Sequence, residues 1–159
     1  MVGSQSTVSA KSHWIIVADE AEAHFFSREG KFGPLLEFSL LQNETAREKL
    51  GNLYSDSAGR GFDNQGQGRH AYAKDKSDPK KQSYAVFAKS IAERISASMK
   101  DNRISKLVVI AAPRFLGVLR KALEQVNVKA DLTIDKEVTG RDAAFIRTLL
   151  DEHEKKSSL

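Results

Sequence analysis

The spacing of the hydrophobic residues changes halfway along the chain, and this change limits the folds that the chain can adopt. Up to residue 41 the apolar residues form short runs typical of β-strands, at residues 13–19, 23–28 and 35–41. The first run is apolar enough to be buried on both faces, and Gly30 supports a turn between the second and the third. We expect an antiparallel meander, with Leu36, Phe38 and Leu40 on one face of its third strand.

From residue 82 onward, helical spacing alternates with further short apolar runs. The patterns predict a helix over 82–99, a strand over 106–112, a helix over 113–124 that begins at Pro113, a strand within 128–138 and a last helix. Thr139, with Asp142 three residues later, resembles a capping box at the start of that helix. The order predicts an α/β fold in which one mixed sheet, a meander followed by a β-α-β unit, carries about three helices.

Length and composition indicate a single domain. The 159 residues are enough for one core, which we place at residues 12–152, between a disordered tail over 1–11 and a charged tail over 153–159. No apolar run approaches the 18 residues of a membrane span, no signal peptide is recognisable, and cysteine is absent. We therefore expect a cytoplasmic protein without membrane contact, and its oligomeric state stays open.

The segment from residue 43 to residue 82 lacks any periodic pattern. It holds five of the ten glycines, and residues 47–81 carry eight Lys or Arg against five Asp or Glu. Structureless connections of this length are uncommon in compact domains unless they are functional or disordered. We therefore predict a long basic loop that contacts an anionic partner; the alternative is a solvated loop without a specific role.

Nucleic acid is the partner that the residue types of this loop favour. Arginine and lysine bind phosphates, and aromatic rings stack on exposed bases. The candidate nucleic-acid-binding residues are Arg60, Phe62, Arg69, His70, Tyr72, Lys74, Lys80 and Lys81. The glycines do not form a nucleotide-triphosphate loop, because Gln67-Gly68 stands where Lys-Ser/Thr is required, and no dinucleotide fingerprint is present.

A few residues outside the loop are also candidates. Arg114 follows a buried strand and opens a helix, where it could hold an anion, although Pro113 could equally serve only to start the helix. Asp19, Glu20 and Glu22 are more typical of a turn than of a metal site, and no histidine pair has ligand spacing. We expect structural roles for His13 and His24, and neither a metal nor a cofactor.

Three segments together resemble the bacterial host-attachment protein family. They are residues 14–19 (WIIVAD), 69–71 (RHA) and 107–119 (LVVIAAPRFLGVL), and the similarity extends over about residues 12–150. That family is in turn similar to the middle domain of archaeal and eukaryotic peptide-chain release factors and of Pelota. Release factors carry Gly-Gly-Gln on the corresponding loop, where this chain has Gln65-Gly66-Gln67-Gly68. The resemblance therefore implies ribosome binding without peptidyl-tRNA hydrolysis.

The leading functional expectation is a non-catalytic domain that binds the ribosome or a structured RNA. The first alternative is a hydrolase that acts on an ester in tRNA or RNA and uses His70 and Gln67 with water. The second is a regulatory protein-interaction factor that affects attachment to a host indirectly.

Overall fold

The computed structural model describes residues 11–45 and 79–157 of the chain. In this part the chain forms five strands and three helices in one mixed sheet, which confirms the predicted α/β class. The elements are β1 (Ser12–Ala18), β2 (Glu22–Arg28), β3 (Leu36–Gln42), α1 (Pro79–Lys100), β4 (Ile104–Ala111), α2 (Pro113–Gln125), β5 (Leu132–Asp135) and α3 (Ala143–Ser157).

The sheet has the strand order β3-β2-β1-β4-β5, so β1 lies at its centre. β1 pairs antiparallel with β2 and β2 antiparallel with β3, which is the predicted meander. On its other side β1 pairs parallel with β4, and β4 pairs parallel with β5. Ile15 is opposite Phe26 on one neighbour and Val108 on the other, and it is fully buried.

Helices cover both faces of the sheet. α1 and α2 pack on one face, where Phe87, Ile91, Phe115 and Leu119 join the core formed with alternate residues of β1, β2 and β4. On the other face α3 brings Ile146, Leu149 and Leu150 against the remaining sheet residues. None of the helices in the described ranges has the length and apolar character that crossing a membrane requires.

The third strand differs from the sequence-based expectation. A bulge shifts its register with β2, so that Leu40 is opposite His24 while Leu36 is opposite Ser27. His24 and Ser27 are an odd number of residues apart and lie on opposite faces, so Leu36 and Leu40 also do. The prediction that Leu36, Phe38 and Leu40 share a face was therefore wrong. Phe38, at the bulge, contacts the Trp14 ring with 4.9 Å between centroids.

The last helix also begins and ends differently. Its N-terminal cap is Asp142, whose Oδ1 accepts a hydrogen bond from the backbone N–H of Phe145. The predicted capping box was wrong, because the Thr139 hydroxyl is buried without a hydrogen bond to the described residues. α3 then continues to Ser157, through residues that the sequence pattern assigned to a charged tail. The apolar periodicity ends near Leu150, and a buried ion pair accounts for part of the continuation.

This ion pair joins the end of α3 to the sheet. Arg28 Nη2 donates to Glu154 Oε1 at 3.2 Å, and both side chains are at least 95% buried. Lys106 Nζ donates to the other oxygen of Glu154 at 3.1 Å. Since a buried charge without its partner is costly, the three residues hold α3 against β2 and β4.

We predict that Glu154→Ala destabilises the protein by about 3 kcal/mol, because it leaves the Arg28 guanidinium buried without its carboxylate. Urea unfolding followed by circular dichroism measures this loss. Glu152→Ala, at an exposed position of the same helix, is the control and should change the free energy of unfolding by less than about 0.5 kcal/mol. Equal effects of the two substitutions would contradict a structural role for the ion pair.

His13 lies beside this cluster and makes stability dependent on pH. Burial lowers the pKa of His13 below its usual value, and the charges of Lys106 and Arg28 lower it further, against the opposite effect of Glu154 and Asp131.

Because the folded-state pKa of His13 is below the unfolded value of about 6.5, the folded protein binds fewer protons there, and its contribution to stability is lost as pH falls below that value. We expect a lower free energy of unfolding at pH 5.5 than at pH 7.5, and a smaller difference in His13→Gln. Urea titrations at the two pH values measure both, and an unchanged difference in the variant would exclude His13 as the cause.

Candidate functional site

Three parallel strands end at the same edge of the sheet, and polar residues follow each of them. The turn after β1 begins at Asp19, whose Oδ1 accepts hydrogen bonds from the backbone N–H groups of Ala21 and Glu22 at 2.8 and 2.9 Å. This geometry explains Asp19 as a turn residue, as the sequence indicated. In the described part of the chain, no cluster of three His, Asp or Glu side chains is arranged to hold a metal ion.

Arg114 connects the ends of these strands. Its Nε donates to Glu20 Oε1 at 2.9 Å, and its two terminal nitrogens donate to the carboxylate of Glu137 at 3.0 Å each. The hydrogen bonds with Glu137 and with Glu20 raise the pKa of Arg114, and the hydrogen bond with Arg114 lowers the pKa of Glu137. An anion at Arg114 has to compete with two carboxylates, and anion binding by this residue stays a prediction.

The two ends of the long connection between β3 and α1 meet at this same edge. The buried side chain of Asn43, directly after β3, donates from Nδ2 to the Glu20 carbonyl and to Ser83 Oγ, both at 2.9 Å. Its backbone N–H donates to the Ala21 carbonyl at 2.8 Å. Asn43 thus fixes the end of β3 to the first turns of α1, next to the turn after β1.

A groove opens beside this junction, between α1 and α2. It has a volume of about 610 Å³. Its lining combines small apolar side chains and an aromatic ring with basic residues, and no acidic residue of the described ranges takes part. The lining residues are Lys81, Tyr84, Ala85, Val86, Lys89, Arg114, Val118, Lys121, Ala122 and Gln125.

The lysines of the groove carry charges that the described protein does not neutralise. Lys81, Lys89 and Lys121 are exposed and form no ion pair with any residue in the ranges 11–45 and 79–157. Arg114 differs, since its charge is balanced by Glu20 and Glu137. The lysines therefore make this groove attractive to anions.

Charge is distributed unevenly between the two faces of the sheet. α1 carries five basic residues and one acidic residue, and α2 carries three and one, which gives the two helices six net positive charges. α3, on the other face, carries three residues of each sign. The whole chain has a net charge of only +4, so the layer of α1 and α2 holds more than the entire positive excess.

The structure describes only part of the predicted binding set. Arg60, Phe62, Gln67, Arg69, His70, Tyr72 and Lys74 lie outside the described residues. Lys80 and Lys81 lie in the first turn of α1, and Lys81 lines the groove. Both the nucleic-acid-binding set and the weak catalytic candidates, His70 and Gln67, stay predictions.

Sequence reasoning missed the half of the groove that comes from the helices. Lys81, Ala85 and Lys89 are spaced by four residues on α1, and Arg114, Val118 and Lys121 are spaced by four and three on α2. Each set forms a stripe beside the buried face of its helix. The signal was present in the sequence, but it acquires meaning only when the two helices pack side by side.

The histidines on strands have structural surroundings. His24 Nδ1 lies 2.6 Å from Glu37 Oε2 on the neighbouring strand, and the His24 ring stacks near Phe26. His13 belongs to the cluster around Arg28 at the opposite end of the sheet from the groove. Neither histidine contributes to the groove.

We predict that Asn43→Ala lowers the free energy of unfolding by about 1–3 kcal/mol, because buried hydrogen-bonding groups lose the partner that Asn43 provides. Thermal and urea unfolding measure the effect. The control is Ser90→Ala, which removes an exposed hydroxyl that donates to the Val86 carbonyl within α1. A change in Asn43→Ala no larger than in the control would contradict the role of Asn43 at this junction.

Comparison with known proteins gives the family. No curated protein matches the chain. Residues 14–150 match the family model described as "Protein required for attachment to host cells", a range that runs from the start of β1 into α3 and includes every residue of the groove. The chain therefore belongs to the family of proteins required for attachment to host cells.

Proposed function

We propose that the protein binds RNA, free or within the ribosome, through the basic face formed by α1 and α2. The observation that carries this proposal is the concentration of six net positive charges on these two helices. A polyanion gains most of its affinity from neutralisation of its phosphates by lysine and arginine, and the release of its counterions favours binding. A face with this charge fits such a partner.

The position of the face supports the same proposal. The basic loop predicted from the sequence leaves the body at Asn43 and returns in the first turns of α1, beside Lys81 and the groove. Arg60, Arg69 and Lys74 of that segment are proposed to contact phosphates together with the helices. The resemblance of the element order to the middle domain of release factors and of Pelota fits a ribosomal partner.

The proposed role is one of binding. Glycine interrupts the release-factor triplet in the sequence Gln65-Gly66-Gln67-Gly68, and the described residues provide no nucleophile or general base at the groove. The family description names a biological outcome, attachment to host cells, and RNA binding is proposed as an indirect contribution to it.

We expect the affinity for a labelled RNA hairpin to fall steeply with salt, and expect Lys89→Gln/Lys121→Gln to weaken binding several-fold and to reduce the slope of log K against log salt by roughly 1.4, about 0.7 for each lost phosphate contact. Fluorescence anisotropy between 50 and 300 mM KCl measures both quantities. Co-sedimentation with ribosomes at low and high salt tests the ribosomal partner.

Lys100→Gln/Lys129→Gln is the matched control, because it removes the same charge from exposed lysines at the opposite ends of the two helices. It should retain most of the affinity and a slope closer to that of the unmodified protein. Absence of binding at low salt, or binding that salt does not weaken, would overturn the proposal.

A further inference from the structure

The groove between α1 and α2 offers more than charge. Ala85, Val86, Val118 and Ala122 give it an apolar surface, and Val86 is 65% exposed although it lies within a helix of a compact domain. The three unneutralised lysines lie around this surface. The combination is unlike a purely electrostatic patch, which has no use for exposed aliphatic side chains.

The aromatic residue of the groove is held in place by the core. The ring of Tyr84 contacts the fully buried Phe115 edge-on, with 6.3 Å between centroids and 81° between planes. Phe115 itself packs on Phe87 of α1. Because this packing orients Tyr84 in advance, a planar ligand in the groove would meet a positioned ring without ordering it on binding.

We propose that this groove binds a nucleoside phosphate, with the base against Tyr84, Val86 and Val118 and the phosphate among Lys81, Lys89 and Lys121. Its volume of about 610 Å³ lies within the range of roughly 300–1,000 Å³ common for small-ligand sites. In an RNA, the only nucleotides that present a base in this way are unpaired, since a duplex stacks its bases inside. Where the ligand is RNA, this inference rests on the proposed function and narrows it to single-stranded segments.

The lining argues against other anions of similar charge. An isolated phosphate or sulfate gains nothing from the apolar surface, and an acidic peptide has no planar group for it unless an aromatic residue is adjacent. A nucleoside phosphate uses both halves of the groove, because one end is a flat π-system and the other is an anion. Two sources share this chemistry, an unpaired nucleotide in an RNA strand and a free nucleotide.

The experiment separates these sources. Anisotropy measures binding of the full chain to a labelled 12-nucleotide single strand and to the same strand annealed to its complement, and adenosine monophosphate and inorganic phosphate serve as competitors. The variant Ala85→Gln/Val86→Gln removes apolar surface from two exposed positions of the groove without changing charge. Its control, Ala97→Gln/Ala144→Gln, places the same side chains at exposed positions outside the groove.

We expect the groove variant to lose affinity for the single strand on the order of tenfold, with duplex binding and the control unchanged. Adenosine monophosphate should compete at concentrations at which phosphate does not. Equal losses for single strand and duplex, or no loss for the single strand, would overturn the assignment while leaving RNA binding intact. Binding of the free nucleotide without any RNA binding would support the groove and refute the proposed function.

Discussion

The structure depends on the burial of β1 between an antiparallel and a parallel neighbour. This strand receives β2 through a tight turn and β4 through the rest of the fold, and both of its faces are covered by helices. Its apolar residues fix the register of the whole sheet, because a shift by one residue would exchange the two cores. Once β1 is placed, the strands on either side and the helices that cover them have defined positions.

The edge at which β1, β4 and β5 end is where the structure brings its polar residues together. Arg114 joins the turn after β1 to the segment after β5, and Asn43 joins the same turn to the start of α1. These contacts are between residues far apart in the sequence, so they form only in the folded protein. They place the groove and both ends of the long connection on one rigid support.

The sequence predicted the type and order of the elements because apolar periodicity is a local property. The strand over residues 12–18 and the helix that begins at Pro113 follow from a few consecutive residues each. The errors occur where a distant partner decides. The bulge at Phe38 depends on how β3 pairs with β2, and the extension of α3 reflects the pairing of Glu154 with Arg28, which is 126 residues away. The groove was missed for the same reason, since neither α1 nor α2 forms it alone.

The contrast between the two faces gives the molecule an electrical orientation. Six net positive charges lie on α1 and α2, whereas the charges of α3 balance, so a polyanion at a distance attracts one side of the protein more than the other. Rotation toward that side precedes contact, which raises the fraction of collisions that begin with the groove facing the partner. Ionic strength therefore acts first on the rate of association, and a partner that lacks extended negative charge gains no such guidance.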